Sequence, residues 1–403
     1  MLLTNPKWIQ VPKMKSMTFH HFVLTRFSYR PNTKGCRDES GDDWVALIDP
    51  LNPSRLDFRF ALFECACLPN VMAQSNQDFD WVLIVDPDLP TKYRQRLETL
   101  IAKRKRTHLH EFRHGDKLSS LEWLEIYITS DTDLVLTTNL DDDDMITVDF
   151  VEKLQLHVKG LGTTVPSIKF LGTKKHYLWD IYSSTKHPFG TCAPGHHTVD
   201  FKSAGFSMLC KISIHRLTVF AFNHSIGDVW YVQVSDLPWY KQVSDQQRAQ
   251  ILREARDNIS VGNVHWVQAE DISKFQLKLE ETSASGGDDW KSLPSTDLCY
   301  DFSKDGLFTV ILNHFANDRG LRLFEYKPET VPVVDTEFFP DDFRIDWSVF
   351  HEHQDLFKLS SQQYKKYLSQ INLYQKSLKL NWWKRFFLLV IMRTKLTWWY
   401  LRH

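Results

Sequence analysis

The apolar positions of the first 150 residues switch between two periods. "MTFHHFVLTRF" (17–27), "FDWVLIVD" (79–86), "THLHEFRH" (107–114) and "TDLVLTTNL" (132–140) read as strands. "FDWVLIVD" is a short apolar run, the pattern of a strand buried on both faces. Segments with helical spacing stand between them. "SRLDFRFALFECACL" (54–68) groups Leu56, Phe60 and Phe63 behind Ser54 as N-cap. "KYRQRLETLIAKR" (92–104) groups Tyr93, Leu97, Leu100 and Ile101. "SSLEWLEIYIT" (119–129) opens with Ser119 and Glu122 at the spacing of a capping box and groups Leu121, Leu124 and Ile128. "TVDFVEKLQLHVK" (147–159) is helical again. Strands alternating with helices predict an α/β fold, a Rossmann-type, mostly parallel sheet with helices on both faces.

From residue 160 to 275 the texture changes. "IKFLGTKKHYLWDIY" and "HTVDFKSAGFSMLC" read as short antiparallel strands around Gly-Thr and Ser-Ala-Gly turns. "SDQQRAQILREARDN" (244–258) has the pattern of a surface helix, and "SASGGDDWKSLPST" (283–296) that of a linker. The expected organisation is a catalytic-type domain over 1–282 and a linker over 283–296. A small C-terminal module over 297–355, with strands in "LFTVILNHF" and "LRLFEYK", precedes a helical tail over 356–403.

Composition adds bounds. With 403 residues, 42% of them hydrophobic, the chain can bury a substantial core, and a net charge of −1 gives no sign of a nucleic-acid partner. The six cysteines, Cys36, Cys65, Cys67, Cys192, Cys210 and Cys299, form no CxxC pair and read as reduced, buried thiols of a cytosolic protein. "MLLTNPKWIQVPKMKSM" lacks the apolar stretch of a signal peptide, and no run of uncharged apolar residues is long enough to span a bilayer.

One segment resists a purely architectural explanation. "LTTNLDDDDMI" (136–146) places four aspartates at the end of a core strand. Two charges about 4 Å apart repel by roughly 4 kcal/mol at an effective dielectric near 20. In open α/β sheets, ligands bind outside the carboxyl ends of the strands, where both these aspartates and Asp86 fall. Hard divalent cations take one or two carboxylates plus phosphate oxygens. Strand alternation would turn Asp141 and Asp143 to one side to share such an ion, Mn²⁺ or Mg²⁺. The alternative is a solvated acidic turn ahead of the next helix. Arg26, at the end of the first strand, suits a phosphate through its paired donors, or an ordinary ion pair with a rim carboxylate. Walker A, GxGxxG, GxSxG and HExxH motifs are absent, which disfavours P-loop, dehydrogenase, lipase and zincin chemistries.

In order and spacing, "FVLTRFSYR", "DFDWVLIVDPDLP" and "LTTNLDDDDMI" resemble the bacterial rhamnosyltransferase family, over roughly residues 17–160. The resemblance implies a GT-A-like fold and a glycosyltransferase of the hexosyltransferase class. It would move a sugar such as rhamnose from a nucleotide-diphosphate donor to a glycan or glycolipid acceptor, in cell-surface polysaccharide synthesis. Asp141 and Asp143 would hold the metal, and Arg26, Asp86, Asp141 and Asp142 would line the nucleotide-sugar pocket. For an inverting transfer the candidate bases are Glu270 and Asp271 in "WVQAED", Asp200, and His196 with His197. "AED" resembles the acidic motif of inverting GT-A enzymes, which favours Asp271; helix capping is its structural alternative. His265 reads as a metal ligand or a core histidine.

The tail "LNWWKRFFLLVIMRTKLTWWYLRH" (380–403) combines paired tryptophans with Lys and Arg. It predicts a helix lying in an anionic membrane interface, hence a peripheral position on the inner face of the membrane, or a terminal helix packed on the domain. Two other functions fit the same residues: a non-catalytic carbohydrate- or metal-binding protein, and a membrane-associated structural adaptor.

Overall fold

The computed structural model describes residues 17–29, 50–112, 118–162, 165, 168–181, 188–196, 204–214, 216–221, 299–307, 309–313 and 342–358. The expected alternation is present at its core. Strand β1 (Phe19–Phe27) is followed by helix α1 (Pro53–Leu62), a π-helical turn over Phe63–Cys67, and α2 (Leu68–Met72). Then come β2 (Asp80–Val85), α3 (Thr91–Ile101), β3 (Thr107–Glu111), β4 (Leu134–Asn139), the short β5 (Met145–Ile146) and α4 (Phe150–Gly160). Strands β6 (Ile168–Gly172), β7 (Lys175–Asp180), β8 (Thr191–His196), β9 (Ser207–Lys211), β10 (Cys299–Asp301) and β11 (Thr309–Asn313) follow, then α5 (Trp347–Glu352) and α6 (Gln354–Phe357).

The strands form two sheets. The main one has the order β10-β6-β9-β4-β1-β2-β3, and the second has the order β5-β11-β7-β8. In the main sheet β3, β2, β1 and β4 run parallel, and β9 is antiparallel to both β4 and β6. Every residue of β2 and β4 is buried, as their continuous apolar runs require.

Three apolar clusters explain the layering. On one face of the main sheet, Val23, Trp81, Leu83 and Leu136 meet α1, α3 and α4. On the other face, Phe22, Leu24, Val82 and Val135 meet Leu121 and Leu124, beside a 3₁₀ helix over Glu122–Tyr127. Helical segments thus cover both faces, α-helices on one and 3₁₀ turns on the other. The third cluster lies on the far side of α1. Ala61, Leu62, Cys65 and Ala66 pack there against Trp179, Val310, Leu312 and Phe350 of the second sheet and α5. The C-terminal part of α1 and its π turn are therefore buried between two sheets. The π turn also serves a join: the Cys65 carbonyl accepts the Asp346 N–H, and Asn70 donates to the Ala66 and Arg344 carbonyls.

Four local expectations change. The N-cap of α1 is Asn52, whose side chain accepts the Ser54 N–H at 3.0 Å, because Pro53 occupies the first helical position. Residues 119–129 form no capping-box helix. Ser119 and Leu121 bond through their backbones to Thr218 and Arg216, leaving only the 3₁₀ turn. Gly172-Thr173 closes no hairpin, since β6 joins the main sheet and β7 the second. The segment 297–355, expected as a separate module, shares both sheets: β10 pairs with β6, and β11 lies between β5 and β7. The 244–258 helix, the 283–296 linker, "LRLFEYK" and the tail beyond residue 358 lie outside the described residues. Cys65, Cys67, Cys192 and Cys210 are buried thiols, as expected.

A buried polar relay crosses the main sheet beneath the acidic segment. His21 is buried; its Nε2 lies 2.9 Å from Thr138 Oγ1, which lies 2.7 Å from Ser207 Oγ. Gln155 Nε2 donates to His21 Nδ1 at 3.3 Å, which assigns the proton to Nε2. Burial, assisted by the neighbouring charge of His20, pulls the His21 pKa down to about 3 from an ordinary 6.5. A lowered histidine pKa means that only the unfolded chain takes up this proton as the pH falls below 6.5. Stability should therefore drop by about 2 kcal/mol between pH 7 and pH 5. Urea unfolding at the two pH values checks this. Replacing His21 by Gln should flatten the dependence in that window.

Candidate functional site

The four aspartates occupy the link between the two sheets. Strand β4 ends at Asn139 in the main sheet, β5 begins at Met145 in the second, and Asp141–Asp144 make the crossing. They form a turn, with the Asp144 N–H bonded to the Asp141 carbonyl at 3.1 Å. The alternation expected of a strand does not apply to a turn. Asp142 and Asp143 consequently meet the same partner instead of facing opposite ways.

That partner is Arg59 of α1. Its Nε lies 3.2 Å from Asp142 Oδ2, its Nη1 2.9 Å from Asp143 Oδ2, and its Nη2 also meets Asp142 Oδ1. The side chains of Arg59, Asp142 and Asp143 are 11%, 0% and 5% exposed. Asp144 is buried as well, and its Oδ1 accepts the Leu312 N–H from β11. Asp141 differs: it is 19% exposed and bonds through Oδ1 to Arg26 Nη2 at 2.9 Å. Arg26, 38% exposed, also lies over the Phe220 ring at 5.4 Å. The solvated-turn reading is thus excluded for Asp142, Asp143 and Asp144, and the ion-pair alternative for Arg26 is realised with Asp141.

Local backbone geometry holds the turn in place. The Asn139 N–H bonds to the Phe206 carbonyl, and the Asn139 carbonyl accepts the Gly205 N–H, each at 2.8 Å. Gly205 has φ +73°, and a Cβ there would stand 2.8 Å from the Phe150 ring, so the Ser-Ala-Gly turn admits no larger residue without a shift. Ser28, two residues past Arg26, adopts φ +46°, a left-handed conformation rare for a side-chain-bearing residue.

Asp86 stands on the same rim, beyond the end of β2 and two strands from β4. It is buried, and its Oδ1 accepts the Asp88 N–H at 2.9 Å, which shapes the "DPDLP" turn. The structure therefore brings Arg26, Asp86 and the aspartate turn to one edge. Glu270, Asp271, His265, Asp200 and His197 lie outside the described residues, as does the side chain of His196. Nearby Cys67 is no thiolate: burial, then the charges of Asp143, Asp144 and Asp141, push its thiol far up. Sequence reading missed Arg59. Its only signal is a basic residue between Phe58 and Phe60, inside a helix otherwise assigned to packing.

Oxygen donors suit a hard divalent ion, and Asp141 is the least buried carboxylate of the four. Among the described residues no three His, Cys, Asp or Glu side chains gather as a complete metal cage.

A charged rim at the carboxyl ends of a mostly parallel sheet defines the class: an α/β protein whose charged edge lies where such folds bind ligands. The chain belongs to the family described as "Putative rhamnosyl transferase", whose model matches residues 20–244, more than half of its length. No curated protein matches it. Among solved structures, TarS residues 1–349 from S. aureus in complex with UDP-GlcNAc is 14% identical, with TM-score 0.21. That match covers 39% of this chain and 34% of the other, so it spans about a third of that relative. Mouse xyloside xylosyltransferase 1 in its apo form is 9% identical, with TM-score 0.24, over 54% of this chain and 76% of the other. The 4-diphosphocytidyl-2C-methyl-D-erythritol synthase of Anaerococcus prevotii is 11% identical, with TM-score 0.25, over 59% and 82%.

Proposed function

We propose that this chain is a metal-dependent, GT-A-like glycosyltransferase that moves a sugar, with rhamnose the first candidate, from a nucleotide-diphosphate donor to a glycan or glycolipid hydroxyl. Family membership supports the transferase class. The observation that carries the reading is the pairing of Arg26 with Asp141 at the open rim, above three buried aspartates. A cation-holding carboxylate and a phosphate-holding guanidinium stand side by side there, as a diphosphate requires.

Asp141 and Asp143 would hold Mn²⁺ or Mg²⁺, and a bound ion supplies Lewis-acid stabilisation of the charge that develops on the departing diphosphate. Arg26 has two uses for its fork, Asp141 and a donor phosphate. Asp142, buried on Arg59, acts from beneath the turn. Asp86, whose carboxylate shapes the turn that follows β2, would line the nucleotide pocket. Transfer breaks the bond between the sugar's anomeric carbon and the diphosphate oxygen, and forms one to the acceptor oxygen. Asp271, with Glu270 beside it, is the proposed base for the acceptor's proton.

A melting screen of UDP, dTDP, GDP and CDP, each with and without Mn²⁺, tests the reading. One nucleotide should raise the melting temperature by several degrees only when Mn²⁺ is present. If none does so, the donor site is misassigned.

The proposed acceptor is held at a membrane surface, which the basic-aromatic tail would reach. Among the described residues no helix is long and apolar enough to cross a membrane. The full chain should sediment with phosphatidylserine-containing vesicles, and a chain ending at residue 358 should not. Equal sedimentation of the two would remove the tail from this role.

A further inference from the structure

Arg59 is a mostly covered cation, its side chain 11% exposed, that neither an apolar helix stripe nor surface solubility explains. It enters from α1, which is packed on both sides by apolar side chains. It reaches Asp142 through two nitrogens and Asp143 through a third. The four aspartates of the turn are thereby held by three elements: Asp141 by β1, Asp142 and Asp143 by α1, and Asp144 by a β11 backbone N–H. Asp143 has carboxylate neighbours on both sides and a buried thiol nearby, so its orientation depends on a fixed positive partner.

We propose that Arg59 is a positioning residue for cation and donor binding: its planar fork sets the direction of the Asp143 carboxylate and the level of the whole turn, and with them the place of the carboxylates that would hold the cation. The proposal rests on the glycosyltransferase reading above and adds a residue to it. A fork fixes two carboxylates at once, whereas a lysine ammonium is a point charge that keeps the compensation but not the angle. Outer partners of metal-holding carboxylates change ion affinity by about 10–100-fold when altered. Arg59 should act in the same way, without touching the donor.

The test compares the full chain with Arg59→Lys and with Arg59→Met/Asp142→Asn. The double variant removes one charge of each sign and so spares the interior an unpaired carboxylate at position 142. Melting temperature is read without ligand, and calorimetry follows binding of UDP, dTDP, GDP and CDP in the presence of Mn²⁺, well below each melting point. Arg59→Lys should melt close to the parent and the double variant lower, because Asp143 loses its cation; both, measured folded, should bind the parent's nucleotide about 10–100-fold more weakly. Affinity that simply follows melting temperature, or is unchanged in folded variants, overturns the positioning role and leaves the donor site standing. A parent chain that binds none of the four nucleotides with Mn²⁺ overturns the donor site and the positioning role together.

Discussion

Asp141→Asn should cut sugar transfer by at least about 10²-fold, because a metal's Lewis-acid contribution is worth several kcal/mol. The same change should leave folding nearly untouched. Asp141 and Arg26 are 19% and 38% exposed, and pairs with that much solvent contact are worth about 1 kcal/mol or less. Asparagine also preserves the shape and one acceptor for the guanidinium. The measurement is an initial rate with the donor selected by the melting screen, beside a thermal melt of the variant. A rate equal to the parent's would take Asp141 out of the site. A rate lost together with the melt would mean that its role is structural.

Trp179→Ala should cost about 3–5 kcal/mol, the usual price of deleting a buried aromatic. Against a total stability of roughly 5–15 kcal/mol that is a large share. Trp179 is fully buried in β7, stacks on Phe350 of α5 at 5.9 Å, and donates through Nε1 to the Phe189 carbonyl at 2.9 Å. Its loss would open a cavity between the second sheet and α5 and leave the Phe189 carbonyl without that donor. Chemical denaturation of Trp179→Ala, Phe350→Ala and the double variant measures both the cost and the coupling. Coupling near zero would show that α5 does not depend on this contact. A substantial coupling would make residues 342–357 part of the body that α1 and the second sheet form.

Much of the main sheet is legible in the order of residues. The runs 79–86 and 132–140 are apolar enough that burial on both faces is their only stable use, and both become central strands. The place of the acidic site is legible for the same reason. A hydrophobic strand that stops at four charges must end at a rim, and in a parallel sheet that rim is where ligands bind. Helix α4 was legible too, whereas the 119–129 helix was not. A capping-box spacing is a local preference of about 1 kcal/mol, and it loses to backbone bonds made with residues 216–218.

What the order of residues determined by itself is therefore the parallel α/β core, the rim position of Arg26, Asp86 and Asp141, and the chemistry those side chains can do. What only the tertiary structure decided is how the four aspartates are divided. Strand periodicity says that Asp141 pairs with Asp143. The crossing from the main sheet to the second makes the segment a turn, and Arg59, from a helix that begins 88 residues before Asp141, takes Asp142 and Asp143 together. Contacts between residues so far apart in sequence carry no periodic signal. They arise because the end of α1 is caught between two sheets, where Arg59, with little solvent to reach, meets the buried carboxylates beside it.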